Sequence, residues 1–194
     1  MADMGKEDLR AELLAARRAT ATEVRRAESQ RLCRHLAETV DDASTVAAYV
    51  PIGAEPGTPE MLDVLSQLCQ TVLLPVTSTG PDGEHLALRW GRYRPDQLVA
   101  GRFGLREPAE PWLPATALDQ AQVVLVPALA VDRRGVRLGR GGGFYDRSLP
   151  LCAAGTRLVA LVWDGEVVDE LPSEAHDVRM THALTPSGLI ALGF

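Results

Sequence analysis

Apolar positions recur along the chain with two spacings, and these spacings predict an alternation of helices and strands. Residues 5–41 are rich in Ala, Leu, Arg and Glu and contain few helix breakers, which favours helix. Thr20 and Glu23 fit a capping box, so we predict two helices, at about 5–19 and 21–40. Short apolar runs predict strands. These runs lie at 45–50, 71–76, 122–128, 157–163 and 178–184, with an edge strand at 85–90.

Residues 58–69 lie between the first two predicted strands and have helical spacing. Thr58 is expected as the N-cap, with Pro59 as the first helical residue. A strand–helix–strand order implies a parallel pair with a right-handed crossover. We therefore predict an α/β fold: a single three-layer domain over residues 1–194, with a mixed, mostly parallel open sheet flanked by helices. The N-terminal helical pair, within residues 1–41, is expected to pack on this sheet.

Composition narrows the class of protein. The 194 residues fit one domain, and 46% hydrophobic with 24% charged residues is ordinary for a globular protein. A net charge of -6 disfavours nucleic-acid binding. We find neither an apolar run long enough for a membrane span nor a signal core, so we expect a cytoplasmic protein that does not bind membranes. The three cysteines and four histidines show no metal-ligand or triad spacing, which indicates ordinary side chains; the histidines are His35, His85, His176 and His182.

A glycine-rich stretch with two arginines follows the apolar run 123–131. Its sequence is Arg137-Leu-Gly-Arg-Gly-Gly-Gly-Phe-Tyr-Asp146. Glycine lets backbone approach a ligand closely, and the planar charged fork of arginine suits phosphate. Consecutive N–H groups, and a helix expected to begin near Gly143, favour an anion. The pattern therefore predicts a phosphate-binding loop, although it has neither the P-loop nor the dinucleotide-binding spacing and a flexible surface turn is the alternative.

Two further side chains are candidates for the same site, and the first helix adds positive charge. Asp146 follows the glycines and can hold hydrated Mg2+ through one carboxylate. Glu55 follows the first predicted strand, and ligands of open α/β sheets bind beyond the carboxyl ends of strands. The first helix carries several cations, which by themselves indicate a solvated face.

The glycine-rich stretch and the residues before it resemble a known signature. Pro127-Ala-Leu-Ala-Val-Asp132 followed by Gly135-Val-Arg-Leu-Gly-Arg-Gly-Gly-Gly-Phe-Tyr-Asp-Arg147 resembles that of the 5-formyltetrahydrofolate cyclo-ligase (5,10-methenyltetrahydrofolate synthetase) family. Lys6-Glu-Asp-Leu-Arg10 and Glu55-Pro-Gly-Thr58 resemble two further motifs of that family. The resemblance runs from Lys6 to about Thr185 and implies a ligase of one-carbon metabolism. Such an enzyme uses ATP and Mg2+ to cyclise 5-formyltetrahydrofolate to 5,10-methenyltetrahydrofolate, through phosphorylation of the formyl oxygen, and releases ADP and phosphate.

The resemblance also implies roles for individual residues and a monomer that acts on small molecules. Catalytic roles are implied for Lys6, Arg140 and Tyr145. The implied ATP contacts are Lys6, Arg10, Arg137, Leu138, Gly139, Arg140, Gly141, Gly142, Gly143, Phe144 and Tyr145. The implied folate contacts are Val50, Glu55, Phe103, Arg140, Gly141, Gly142, Gly143 and Phe144. Asp146 is the implied Mg2+ ligand.

One position departs from the family pattern. The family reads Pro-x-x-x-x-Asp-x-x-x-Asp near the C-terminus; Pro172 and Asp177 match it, but Thr181 stands where the second aspartate, a metal ligand in some members, is expected. This leaves open whether Asp177 replaces that carboxylate. Two alternatives follow: a non-catalytic folate- or nucleotide-binding homologue, and another α/β enzyme such as a sugar-phosphate isomerase or CoA transferase.

Overall fold

A computed structural model describes residues 5–174 and 177–193 of the chain. The helices are α1 Lys6–Ala19, α2 Thr22–Cys33, α3 Leu36–Thr39, α4 Glu60–Leu68 and α5 Phe144–Ser148. The strands are β1 Thr45–Ala47, β2 Thr71–Val76, β3 Arg89–Arg92, β4 Leu98–Ala100, β5 Arg106–Pro108, β6 Val123–Pro127, β7 Ala130–Asp132, β8 Arg137–Leu138, β9 Arg157–Leu161, β10 Val167–Val168, β11 His182–Thr185 and β12 Gly188–Ala191. Short 3-10 turns lie at Arg102–Gly104, Ala115–Gln120, Leu149–Leu151 and Asp164–Glu166.

A seven-stranded sheet in the order β12-β11-β9-β6-β1-β2-β3 forms the centre of the fold. Its five inner strands are parallel, and the two edge strands, β12 and β3, run antiparallel to their neighbours. This confirms the predicted mixed, mostly parallel sheet. No helix in the described part of the chain is both long and apolar enough to cross a bilayer.

Alternate side chains of the central strands enter two different apolar clusters, as strand geometry requires. Val46 and Leu125 join a cluster with residues of α2, α3 and α4, whereas Ala47 and Val124 join one with Leu118 and Leu149. Helices therefore cover one face, and α5 with the 3-10 turns covers the other. These are the three layers that the sequence predicts.

A small second sheet, in the order β10-β7-β8, positions the glycine-rich stretch. β7 and β8 pair as a hairpin, with Ala130 opposite Leu138, so the glycines begin directly after β8. The buried carboxylate of Asp132 accepts hydrogen bonds from the backbone N–H groups of Arg134, Val136 and Leu171 at 2.9, 2.9 and 3.1 Å. α1 packs here through Leu9, Leu13 and Leu14. The N-terminal helix is thus held against the base of the glycine-rich stretch.

Several predicted boundaries are wrong for physical reasons. The Thr20 hydroxyl donates back to the carbonyl of Ala16 at 3.1 Å, and α2 begins after Ala21 without a side-chain cap, so the capping box does not form. The predicted helix 21–40 breaks at His35, whose φ of -92° and ψ of 0° are not helical. α4 is capped by Pro59 instead of Thr58. The strands predicted at 85–90 and 178–184 begin four residues later in the structure, at Arg89 and His182.

Candidate active site

A cavity of about 400 Å³ opens beyond the carboxyl ends of the parallel strands. This volume lies within the range of small-molecule sites. Among the sequence-predicted residues its lining includes Val50, Glu55, Phe103, Arg137, Gly139, Arg140, Gly141, Gly142, Gly143, Phe144, Tyr145 and Asp146. Lys6, Arg10 and Leu138 do not line it, and the side chain of Leu138 is buried in the core below the glycines. His176 lies outside the described residues.

The backbone of the loop explains two of its glycines. Gly141 and Gly143 have φ values of 93° and 69°, a region that disfavours residues with a Cβ. Gly143 ends the loop, and α5 follows with only five residues. A helix of this length has a small dipole, so the groups of the loop that can attract an anion are mainly its N–H groups and arginines.

Both arginines of the loop pair with carboxylates of the cavity. Arg137 Nη2 lies 2.6 Å from Asp146 Oδ1, with the guanidinium 5.7 Å from the centre of the Tyr145 ring. Arg140 Nε lies 3.0 Å from Glu55 Oε1. The second pair joins the glycine loop to the loop after β1, and therefore spans the site. An incoming anion must compete with these carboxylates or share the arginines with them.

α1 contributes two cations on this side of the molecule, and Arg10 is the one that contacts the loop. Arg10 Nε donates to the carbonyl of Gly139 at 2.9 Å. Lys6, one helical turn earlier, lies 2.9 Å from Glu174 and 3.1 Å from Asp177. Partial burial lowers the pKa of Lys6, but the hydrogen bonds and charges of these two carboxylates outweigh it and leave the pKa raised. Lys6 is therefore a stable ammonium, and Glu174 and Asp177 are its counter-ions.

Tyr145 carries an unused hydroxyl. Its oxygen is buried and has no hydrogen-bond partner within the described residues. Burial, followed by the nearby charge of Glu55, raises the pKa of Tyr145 well above its usual value. The group is therefore a neutral donor and acceptor at physiological pH. A buried polar group without a partner is costly, and a ligand in the cavity would satisfy it.

Both carboxylate oxygens of Glu55 have partners within the protein. Its Oε2 accepts the backbone N–H of Ile52 at 3.0 Å, and its Oε1 faces Arg140. Burial raises the pKa of Glu55, while the hydrogen bond from Ile52 and the charge of Arg140 act to lower it. The carboxylate thus anchors both the loop after β1 and the arginine opposite.

Three lining residues have no signal in the sequence. His85 Nδ1 lies 2.7 Å from the carbonyl of Gly142, so this nitrogen carries the proton. The His85 ring stacks on Phe144 with centroids 4.2 Å apart and meets Phe103 edge-on at 5.8 Å. The other two are Arg17 and Glu107, both buried. A lone histidine, arginine or glutamate in a polar stretch gives no local sign of such a role.

The residues present fit a magnesium ion held by one carboxylate. Within residues 5–174 and 177–193 no group of three or more His, Cys, Asp or Glu side chains is placed to bind a metal. Thr181 bonds the backbone of Leu158 between β9 and β11, outside the cavity lining. Asp146 faces the cavity and is about one third exposed. One carboxylate is sufficient for Mg2+, which keeps several waters and takes oxygens from phosphates.

Comparison with known proteins identifies the family of the chain. The family model of the 5-formyltetrahydrofolate cyclo-ligase family matches residues 2–186. A 5-formyltetrahydrofolate cyclo-ligase of Mycolicibacterium smegmatis is 51% identical over 99% of this chain and 100% of its own length. The Escherichia coli cyclo-ligase is 33% identical over 75% of this chain and 79% of its own.

Solved structures agree with the fold. The structure of Aquifex aeolicus 5,10-methenyltetrahydrofolate synthetase superposes with a TM-score of 0.76 at 26% identity, covering 97% of this chain and 93% of that one. The Mycoplasma pneumoniae synthetase gives a TM-score of 0.71 at 20% identity, over 94% of this chain and 99% of that one, and supports the fold alone. The chain therefore belongs to the 5-formyltetrahydrofolate cyclo-ligase family and is an enzyme, a ligase of folate one-carbon metabolism.

Proposed function

We propose that the protein cyclises 5-formyltetrahydrofolate to 5,10-methenyltetrahydrofolate with ATP and Mg2+ and releases ADP and phosphate. The observation that supports this most is the meeting, in one cavity, of a cationic glycine loop and a buried tyrosine hydroxyl that has no partner among the described residues. The cationic loop suits a polyphosphate. The tyrosine hydroxyl suits an uncharged polar group of a heterocyclic substrate. We also propose that the protein is a cytoplasmic enzyme that acts as a monomer.

The reaction needs activation because the oxygen of a formyl amide is a poor leaving group. In the proposed route the formyl oxygen attacks the γ-phosphorus of ATP, the bond to the bridging oxygen breaks, and ADP leaves. The N10 amine of the folate then attacks the formyl carbon. Phosphate departs with the former formyl oxygen, and the N10 proton is lost to solvent. Phosphoryl transfer of this kind depends on positioning and charge neutralisation more than on covalent help.

The loop supplies that neutralisation. We propose that the N–H groups of residues 139–143 and the guanidinium groups of Arg137 and Arg140 hold the phosphate oxygens. Arg10 and Lys6 add positive charge from the side of α1, although neither of them lines the cavity. When bound at Asp146, Mg2+ would neutralise phosphate charge. Tyr145, with its raised pKa, can donate to the formyl oxygen across the physiological pH range.

The expected result of a direct assay is a methenyl product. Protein mixed with 5-formyltetrahydrofolate, ATP and Mg2+ should produce the near-ultraviolet absorbance of the methenyl group, with one ADP for each product formed. Omitting ATP, or removing Mg2+ with EDTA, should abolish the signal. If both ligands bind but no ADP is released, the chain is a binding protein and the proposed reaction is wrong.

A further inference from the structure

A second buried carboxylate, Glu107, faces the same cavity as Glu55. It lies in β5, and only 6% of the residue is exposed. The hairpin β4–β5 brings it there together with Phe103 and Leu105. Gly101 leaves the room for it, because a Cβ at that position would collide with the Glu107 side chain. Part of the wall of the cavity is therefore built around this carboxylate.

In the described part of the chain, one oxygen of Glu107 accepts hydrogen bonds and the other does not. Its Oε1 accepts from the backbone N–H of Thr77 at 2.8 Å and from the Thr77 hydroxyl at 2.7 Å. Its Oε2 has no hydrogen bond, and the carboxylate has no cation within 4.0 Å, among the residues that the structure describes. A buried carboxylate normally has its acceptor positions filled or a cation beside it. Oε2 is not among the fully buried atoms without a partner, so it stays accessible, and Glu107 lines the cavity; this oxygen is therefore available to a donor that arrives with a ligand.

Glu55 differs from Glu107 in this respect. Both of its oxygens have partners inside the protein, Ile52 and Arg140. Binding a substrate N–H group at Glu55 would require sharing or breaking the contact with Arg140. At Glu107 the same hydrogen bond forms without breaking any contact. The acceptor that is ready for a ligand is therefore the one on β5.

We propose that Glu107 is a specificity-determining residue that binds the pyrimidine edge of the pterin ring. That edge presents the 2-amino group and the adjacent ring N–H side by side, and both are donors. Glu107 Oε2 retains acceptor positions for them, and a hydrogen bond to a carboxylate is stronger than one between neutral groups. The apolar faces of the ring meet Phe103 and Leu105 of the same hairpin. This inference rests on the proposed function, since it concerns how that substrate is oriented.

Replacement of Glu107 with Gln tests the proposal by binding alone. The Gln carbonyl can still accept from Thr77, but its amide nitrogen replaces Oε2 and donates, so it meets the pterin donors with a donor. We expect the Kd for 5-formyltetrahydrofolate, measured by calorimetry without ATP, to rise about 10- to 100-fold. The Kd for ATP with Mg2+ should be unchanged. Glu110→Gln, three residues along and exposed, is the matched control and should bind folate as the wild type does.

A ligand lacking the 2-amino group provides a second test that needs no substitution. The wild type should bind the 2-desamino analogue of 5-formyltetrahydrofolate more weakly than the parent, and Glu107→Gln should discriminate much less between the two. Equal affinity of the wild type for both ligands, or unchanged folate affinity in a folded Glu107→Gln, would overturn the proposal. Folate binding without turnover would defeat only the proposed reaction. A wild type that binds no folate would defeat both.

Discussion

Arg140→Ala is expected to lower kcat/KM for 5-formyltetrahydrofolate by about 1,000-fold or more, the effect of losing an arginine that stabilises transferred phosphate. Arg140 is about half exposed and lies on the glycine loop, so its removal should not open the core. It also neutralises Glu55, whose pKa burial raises. Without Arg140 that carboxyl protonates at a higher pH, and the loop after β1 loses its link across the cavity. Steady-state kinetics at saturating ATP will measure the loss.

Arg133→Ala is the matched control for this variant. Arg133 is exposed, pairs only with the exposed Asp169 among the described residues, and lies outside the cavity lining. Surface pairs of this kind contribute little. Its kcat/KM and melting temperature should equal those of the wild type. If Arg140→Ala retained wild-type activity with an unchanged melting temperature, Arg140 would have no part in the mechanism.

Arg17→Ala is expected to lower the free energy of unfolding by about 3–5 kcal/mol, the range for breaking a buried ion pair. Arg17 and Glu166 are 3% and 6% exposed. The arginine donates to both oxygens of Glu166 at 2.7 Å and to the carbonyl of Ala128 at 2.6 Å. Its removal leaves a buried carboxylate without its cation and detaches α1 from the end of β6. Arg18→Ala, at the exposed neighbouring position, should change stability by less than about 0.5 kcal/mol.

The pH dependence of this effect has a definite sign. Burial raises the pKa of Glu166, while the hydrogen bonds and charge of Arg17 lower it. Without Arg17 the pKa rises further. A carboxyl whose pKa is raised on folding binds more protons in the folded state, so it costs stability as the pH rises through that window. Urea unfolding should therefore show a larger difference between Arg17→Ala and wild type at neutral pH than at mildly acidic pH. An equal difference at both values would contradict this account of the pair.

The elements that the sequence predicts well are those that local pattern determines. The runs 71–76 and 122–128 are apolar enough to specify central strands by themselves, and the structure has β2 and β6 there. Residues 139–143 include four glycines. Such a stretch has few structural uses other than letting the backbone approach a ligand closely. Those two features were sufficient to predict the sheet and the position of the loop.

Other features depend on contacts that no local pattern shows. β4, β5, β7, β8 and β10 are two or three residues long, and their pairing is set by tertiary packing. Glu107 reaches the cavity because the β4–β5 hairpin folds over it. His85 reaches it from the turn before β3. Thr20 shows the reverse case, because a residue with the right local pattern bonds to Ala16 instead of capping α2. Short-range signals specify the scaffold, and long-range pairing completes the site.

The origin of the oxygen in the released phosphate tests the central claim most directly. 5-Formyltetrahydrofolate that carries oxygen-18 in its formyl group is converted with unlabelled ATP and Mg2+, and the phosphate is examined by mass spectrometry. Phosphorylation of the formyl oxygen, assisted by the glycine loop and Tyr145, predicts one oxygen-18 atom in each phosphate. Turnover that releases unlabelled phosphate would contradict this mechanism.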